Sequence, residues 1–209
     1  MEKGFASTFY PPGIIFNMKS ETYPEFTLDN PVASAVAVLR AIFLAPRSFF
    51  LGFSESGPLR EPIIFVVLIT AVTAALRLVL TLLFGSNDAV SAETSVLQAL
   101  AFVALSPAIL AALAGAYWLS VRTFVGEAGT FRGVYRMLAY AYGAMVLYWV
   151  PVVQAFAFTY FALVLMVIAI RYTYRVSLMT AIITTLAAYV PAAMAFIFLQ
   201  FAVTGLAFG

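Results

Sequence analysis

Six polar side chains stand where a largely apolar chain could put them to chemical use: Arg77, Arg132, Arg136, Arg171, Arg175 and Gln154. A guanidinium presents a planar fork of donors that fits a phosphate or a carboxylate. Close to apolar runs, such groups are candidate contacts to lipid headgroups or to an acidic partner. Arg77 lies inside one run, about 15 residues beyond Pro62, which at ~1.5 Å per residue places it in the outer half of a bilayer. At the bilayer centre a guanidinium costs about 2.5–3.5 kcal/mol on insertion scales. Arg77 must therefore face the bundle, reaching a headgroup or an acid such as Asp88 or Glu93, or snorkel to the outer interface. Arg132, Arg136, Arg171 and Arg175 are expected to gather at the cytoplasmic surface, either as anchors alone or as a site for anionic headgroups or an acidic partner. Gln154 can bridge neighbouring helices by hydrogen bonds.

Other chemistries are poorly served. The sequence has Cys 0 and His 0, which removes disulfides, thiolate nucleophiles, the usual zinc sites and imidazole acid–base catalysis. None of the 9 acids falls within an apolar run, which argues against a proton relay or cation pathway built on buried carboxylates. P-loop, HExxH, GxSxG and paired-carboxylate patterns are all missing. No catalytic residue, cofactor, metal or nucleic-acid partner is expected.

The elements that must position the six residues follow from composition. Of 209 residues, 64% are apolar and 10% charged, against about 25% charged in a soluble domain. Lipid is the natural solvent for such a surface. Five apolar runs, at about 62–84, 96–121, 134–150, 152–170 and 178–206, read as transmembrane helices, with a tight turn at Pro151 joining the third to the fourth. Pro107 and Pro191 lie mid-run, as tolerated kinks or as the broken helices of a transporter. Residues 1–30, without a cleavable leader, read as a cytoplasmic tail, either disordered or laid on the membrane surface or on a partner. Residues 31–60 read as one or two interfacial amphipathic helices. Asn30-Pro31 opens the first, Pro46 ends it, and Val32, Val36, Leu39 and Phe43 share its apolar face. A buried packing helix is the other reading of this stretch. Residues 61–209 form the five-helix domain.

Orientation comes from the bases. Arg40, Arg47 and Arg60 precede the first run, Arg122, Arg132 and Arg136 stand around the second loop, and Arg171 and Arg175 separate the last two runs. The alternate loops and the C-terminal end carry neither Lys nor Arg. The expectation is an all-α bundle in the cytoplasmic (inner) membrane, N-terminus in and C-terminus out.

Two stretches carry a family likeness. The first is Phe43-Leu44-Ala45-Pro46-Arg47-Ser48-Phe49-Phe50, followed by Leu59-Arg60-Glu61-Pro62. The second runs from Gly129-Thr130-Phe131-Arg132-Gly133-Val134-Tyr135-Arg136-Met137-Leu138-Ala139-Tyr140-Ala141-Tyr142 through Trp149-Val150-Pro151 to Ile170-Arg171-Tyr172-Thr173-Tyr174-Arg175. Together they resemble the bacterial form of the Yip1-domain family, with its P-x-x-F-F segment before the first helix and F-R-x-x-x-R-x-x-A-Y opening the third. The likeness covers roughly residues 40–200. It departs where that pattern often has a His after the fourth helix and this chain has Tyr172 and Tyr174. Beside this likeness, the missing catalytic chemistry and the aromatic-rich tail lead to the expectation of a non-enzymatic membrane protein acting by contact, a scaffold or accessory subunit whose partners are lipids and other membrane subunits or further copies of itself. A small transporter or permease-like subunit is the alternative.

Overall fold

The computed structural model describes residues 24–84, 92–127 and 129–207, and among them every regular element is helical. The order is α1 (Pro31–Leu44), α2 (Pro46–Leu51), α3 (Arg60–Phe84), α4 (Ala92–Phe124), α5 (Phe131–Ala141), α6 (Pro151–Thr173) and α7 (Leu178–Ala207). Three segments are long and apolar enough to cross a membrane: Arg60–Leu80, Val96–Phe124 and Pro151–Thr173. The fifth run is α7, apolar over its described stretch Leu178–Met194.

The third run takes a form that hydropathy alone did not announce. Its α-helix stops at Ala141 and tightens into a 3-10 turn over Tyr142–Leu147. Every residue from 133 to 145 is buried, so this segment is wrapped by protein. It packs on α1, α3, α4 and α6. Gly143 passes so close to α1 and α3 that a β-carbon there would lie 3.0 Å from Leu39 and 3.2 Å from Phe65.

Irregular backbone inside an apolar bundle leaves carbonyls without their helical amides, and each such group is costly unless something else donates to it. The buried hydroxyls do this work. The Thr73 hydroxyl donates to the carbonyls of Ile69 (2.8 Å) and Met145 (3.2 Å), the latter in the 3-10 turn. Thr70 lies 3.2 Å from the Tyr142 hydroxyl. α6 widens into a π-turn over Tyr160–Leu165, and Tyr117 donates to the Ala162 carbonyl within it. In α4 the ring of Pro107 cannot donate to Val103, and the Ser106 hydroxyl donates to that carbonyl instead at 2.9 Å. α4 and α7 are tied by Ser120, which donates to the Thr184 carbonyl at 2.6 Å. Pro107 and Pro191 both sit within unbroken helices.

The N-terminal part departs from expectation in two ways. The buried stripe of α1 is Ala35, Val38 and Ile42, one position away from the expected face; Val32 and Val36 point outward while Leu39 and Phe43 are half-buried. The helix is apolar almost all round, so periodicity could not choose between its sides. α2 seats Phe49 and Phe50 in the core against the end of α6. Residues 24–30, expected in a tail, are built into the fold: Phe26 is fully buried with its ring 5.5 Å from that of Phe65. Residues 1–23 lie outside the described residues.

Candidate functional site

The most concentrated polar chemistry lies where the N-terminal strap, the 52–59 loop and the start of α5 meet. Thr130 caps α5, its hydroxyl accepting from the Gly133 amide at 3.0 Å. That start brings Arg136 round to face inward, where its side chain is 0% exposed. Nη2 donates to the Glu25 carboxylate at 2.9 Å and Nη1 to the Pro58 carbonyl at 2.9 Å. The guanidinium also lies 5.9 Å from the centre of the Phe53 ring. Gly57 lies against this arrangement, and a β-carbon there would force the Arg136 guanidinium to shift. One buried cation thus clamps three separate stretches of chain, and Glu25, 35% exposed, keeps one side in water.

A second clamp lies beside it. The Glu55 carboxylate packs against Gly133 and lies 3.5 Å from the Thr130 hydroxyl. Partial burial pushes the Glu55 carboxyl above its ordinary value, while the Thr130 amide and the Tyr174 and Thr130 hydroxyls draw it back down. Burial and the neighbouring Glu55 charge in turn push the Tyr174 phenol up. Glu55 precedes α3, Thr130 precedes α5 and Tyr174 follows α6. These three loops therefore share one end of the bundle.

The residues singled out from sequence are dispersed by the fold. Arg136 is satisfied in part by the chain itself. Arg132 is exposed one turn earlier on α5. Arg171 is half-buried in the last turn of α6, 5.4 Å from the Tyr172 ring. Arg175 is exposed in the α6–α7 turn with φ 53, a left-handed conformation that non-glycine residues seldom adopt. Arg77 is exposed on the outer surface of α3. Gln154 is half-buried in the first turns of α6, at the far end from Arg171. Asp88 and Glu93, expected as possible partners of Arg77, have side chains outside the described residues. Sequence reading missed Glu25, Glu55 and Gly57; the signal available was a tail with too many aromatic residues for a free segment.

Among the described residues, no group of His, Cys, Asp and Glu could hold a metal ion. What the arrangement does is fasten loops together around the opening of α5, with the Arg and Tyr of F-R-x-x-x-R-x-x-A-Y at its centre. Tyr140 is buried with its ring 5.7 Å from Phe65, 5.9 Å from Phe49 and 6.3 Å from Phe53. No curated protein and no solved structure matches the chain. The model of the Yip1 domain matches residues 40–200, which takes in both clamped loops, α5 and all three candidate spans, and the chain belongs to the Yip1 domain family.

Proposed function

We propose that this Yip1 domain membrane protein is a non-enzymatic scaffold or accessory subunit that works through contacts with lipid and with other membrane subunits. The observation that carries the reading is the use made of polar groups inside the bundle. The buried hydroxyls of Thr70, Thr73, Ser106, Tyr117, Ser120 and Thr184 donate to the chain's own carbonyls, and Arg136 is clamped internally. The outward surface, by contrast, is apolar on α1, α3, α4 and α7 and edged by arginines at one end.

The same loops support a five-crossing topology. Residues 55, 130 and 174 share one end, α3 and α4 are each long enough to cross, and α6 returns to that end at Thr173. The chain from α5 through its 3-10 turn then makes the third crossing, and α7 the fifth. With Arg60, Arg122, Arg132, Arg171 and Arg175 at the loop-bearing end, the N-terminus is cytoplasmic and the C-terminus outside, in the inner membrane. Arg132, Arg171, Arg175, Arg77 and Gln154 are the side chains offered to lipid or partner.

Purification of the full chain in mild detergent tests this reading. Co-purifying subunits or a defined oligomer is the expected result; a strict monomer holding neither partner nor lipid would overturn it. Solute flux into protein-loaded liposomes would instead favour the permease-like alternative.

A further inference from the structure

We propose that Arg47, Tyr172 and Arg171 form a binding site for the headgroup of an anionic phospholipid. This deepens the contact reading above and rests on its placement of the loop-bearing end at a membrane surface.

The site is assembled by packing rather than by sequence proximity. Arg47 stands at the start of α2, and Arg171 and Tyr172 in the last turn of α6. α2 is pressed on α6 by the buried Phe49 and Phe50, and Thr173 donates to the Phe50 carbonyl at 3.4 Å, which fixes the register between them. The result is two guanidinium groups on one ring: Arg47 at 5.1 Å and Arg171 at 5.4 Å from the Tyr172 centroid. A tyrosine face attracts each cation, yet the ring carries no net charge to offset either of them.

Among the described residues neither arginine is ion-paired to a carboxylate. Two acids of the loop-bearing end are engaged elsewhere, Glu25 on Arg136 and Glu55 beside Thr130. A phosphate is the anion whose oxygens accept from guanidinium forks. The flanks argue for a lipid as its carrier: Leu44 is 77% exposed and Leu51 48% exposed on either side of Arg47, and Leu178 and Met179 are exposed just beyond Arg175. A soluble phosphate has no use for those leucines, whereas the acyl chains below a headgroup cover them.

The test uses the full chain in mild detergent, titrated separately with phosphatidylglycerol and phosphatidylcholine, with bound lipid counted by native mass spectrometry. The wild type is expected to retain phosphatidylglycerol in preference to phosphatidylcholine. R47Q and R171Q should each weaken phosphatidylglycerol retention by about 5-fold and the double variant by about 30-fold. R122Q is the control, because Arg122 stacks alone on Trp118 at 5.6 Å, and it should leave retention unchanged. Because Arg47 is exposed, R47Q alone reads the site even if the double variant folds poorly. Equal retention of both lipids by wild type, undiminished binding by R47Q and the double variant, or an equal loss in R122Q would overturn the proposal. So would displacement of phosphatidylglycerol by equimolar inorganic phosphate, which would identify the ligand as the free anion. A monomer without partner subunits would count against the scaffold reading and leave this titration fully interpretable.

Discussion

Replacing Arg136 with methionine should loosen the N-terminal strap without dissolving the bundle. Methionine keeps an unbranched apolar stem but is shorter and lacks the guanidinium, so both of the nitrogens that donate here are removed. Two hydrogen bonds are lost, each at 2.9 Å, one to the Glu25 carboxylate and one to the Pro58 carbonyl. Hydrogen bonds involving a charged group contribute about 1.5–3 kcal/mol each. The Glu25 side chain is 35% exposed and regains water once released, so its share is discounted. Pro58 is itself exposed, and Arg136 Nε has no partner among the described residues, which lowers the loss further. The net expectation is about 2 kcal/mol, concentrated in the strap. At 1.36 kcal/mol per decade this is a roughly 30-fold rise in the population of the open strap.

Hydrogen exchange supplies the assay, with the Thr27 amide as the reporter because it donates to the Ser34 hydroxyl at 3.1 Å. Its exchange should accelerate by about that factor in R136M while amides in the middle of α3 and α4 hold their rates. E25Q should give a smaller acceleration, and the double variant less than the sum of the two, with a coupling of about 1 kcal/mol. If Thr27 exchanges equally fast in wild type and R136M, or if the effects of R136M and E25Q simply add, the clamp described here is wrong.

Three further outcomes follow from the same packing. Phe26→Ala should cost about 3 kcal/mol, read as a lower thermal midpoint in detergent, since a fully buried ring leaves a cavity against Phe65. Ser120→Ala should cost about 1 kcal/mol and act at the α4–α7 contact, because the Thr184 carbonyl already accepts along its own helix. Glu55→Gln gives a pH signature. With the Glu55 carboxyl raised in the folded state, the folded chain holds its proton more tightly than the unfolded chain, so the stability associated with protonation is present at low pH and lost as pH rises through the folded value. E55Q should therefore melt above wild type at neutral pH, and the gap should close as pH falls toward 4.5; a gap independent of pH would remove Glu55 as its source.

How much of this was legible in the sequence depends on the kind of signal. The spans of α3, α4 and α6 were read within a few residues, because a long apolar run has few other uses. In sequence the third run reads as a plain helix, because a 3-10 turn leaves no hydropathy trace, and the π-turn of α6 leaves none either. They arise where Gly143 meets Leu39 and Phe65 and where Tyr117 offers a donor to Ala162, and those are tertiary facts. Arg136 falls with the surface arginines in sequence, since a guanidinium one turn from Arg132 looks the same there. What set them apart was Glu25, in a segment whose Pro and charge content resembled a tail. The rotation of α1 failed for a similar reason: with both faces apolar, only its neighbours could choose.

The clamp at Arg136 also sets a clock for the growing chain. Glu25 is separated from Arg136 by 111 residues, so the strap leaves the ribosome long before its lock has been made. At about 5–20 residues per second, the interval is on the order of 5–20 s. For the later part of it, once α3 has emerged, Phe26 has Phe65 available but Glu25 has no Arg136 to hold it in place. The first described segment to be synthesised is thus among the last to settle, and closing it joins the N-terminal end to α5 across four intervening helices.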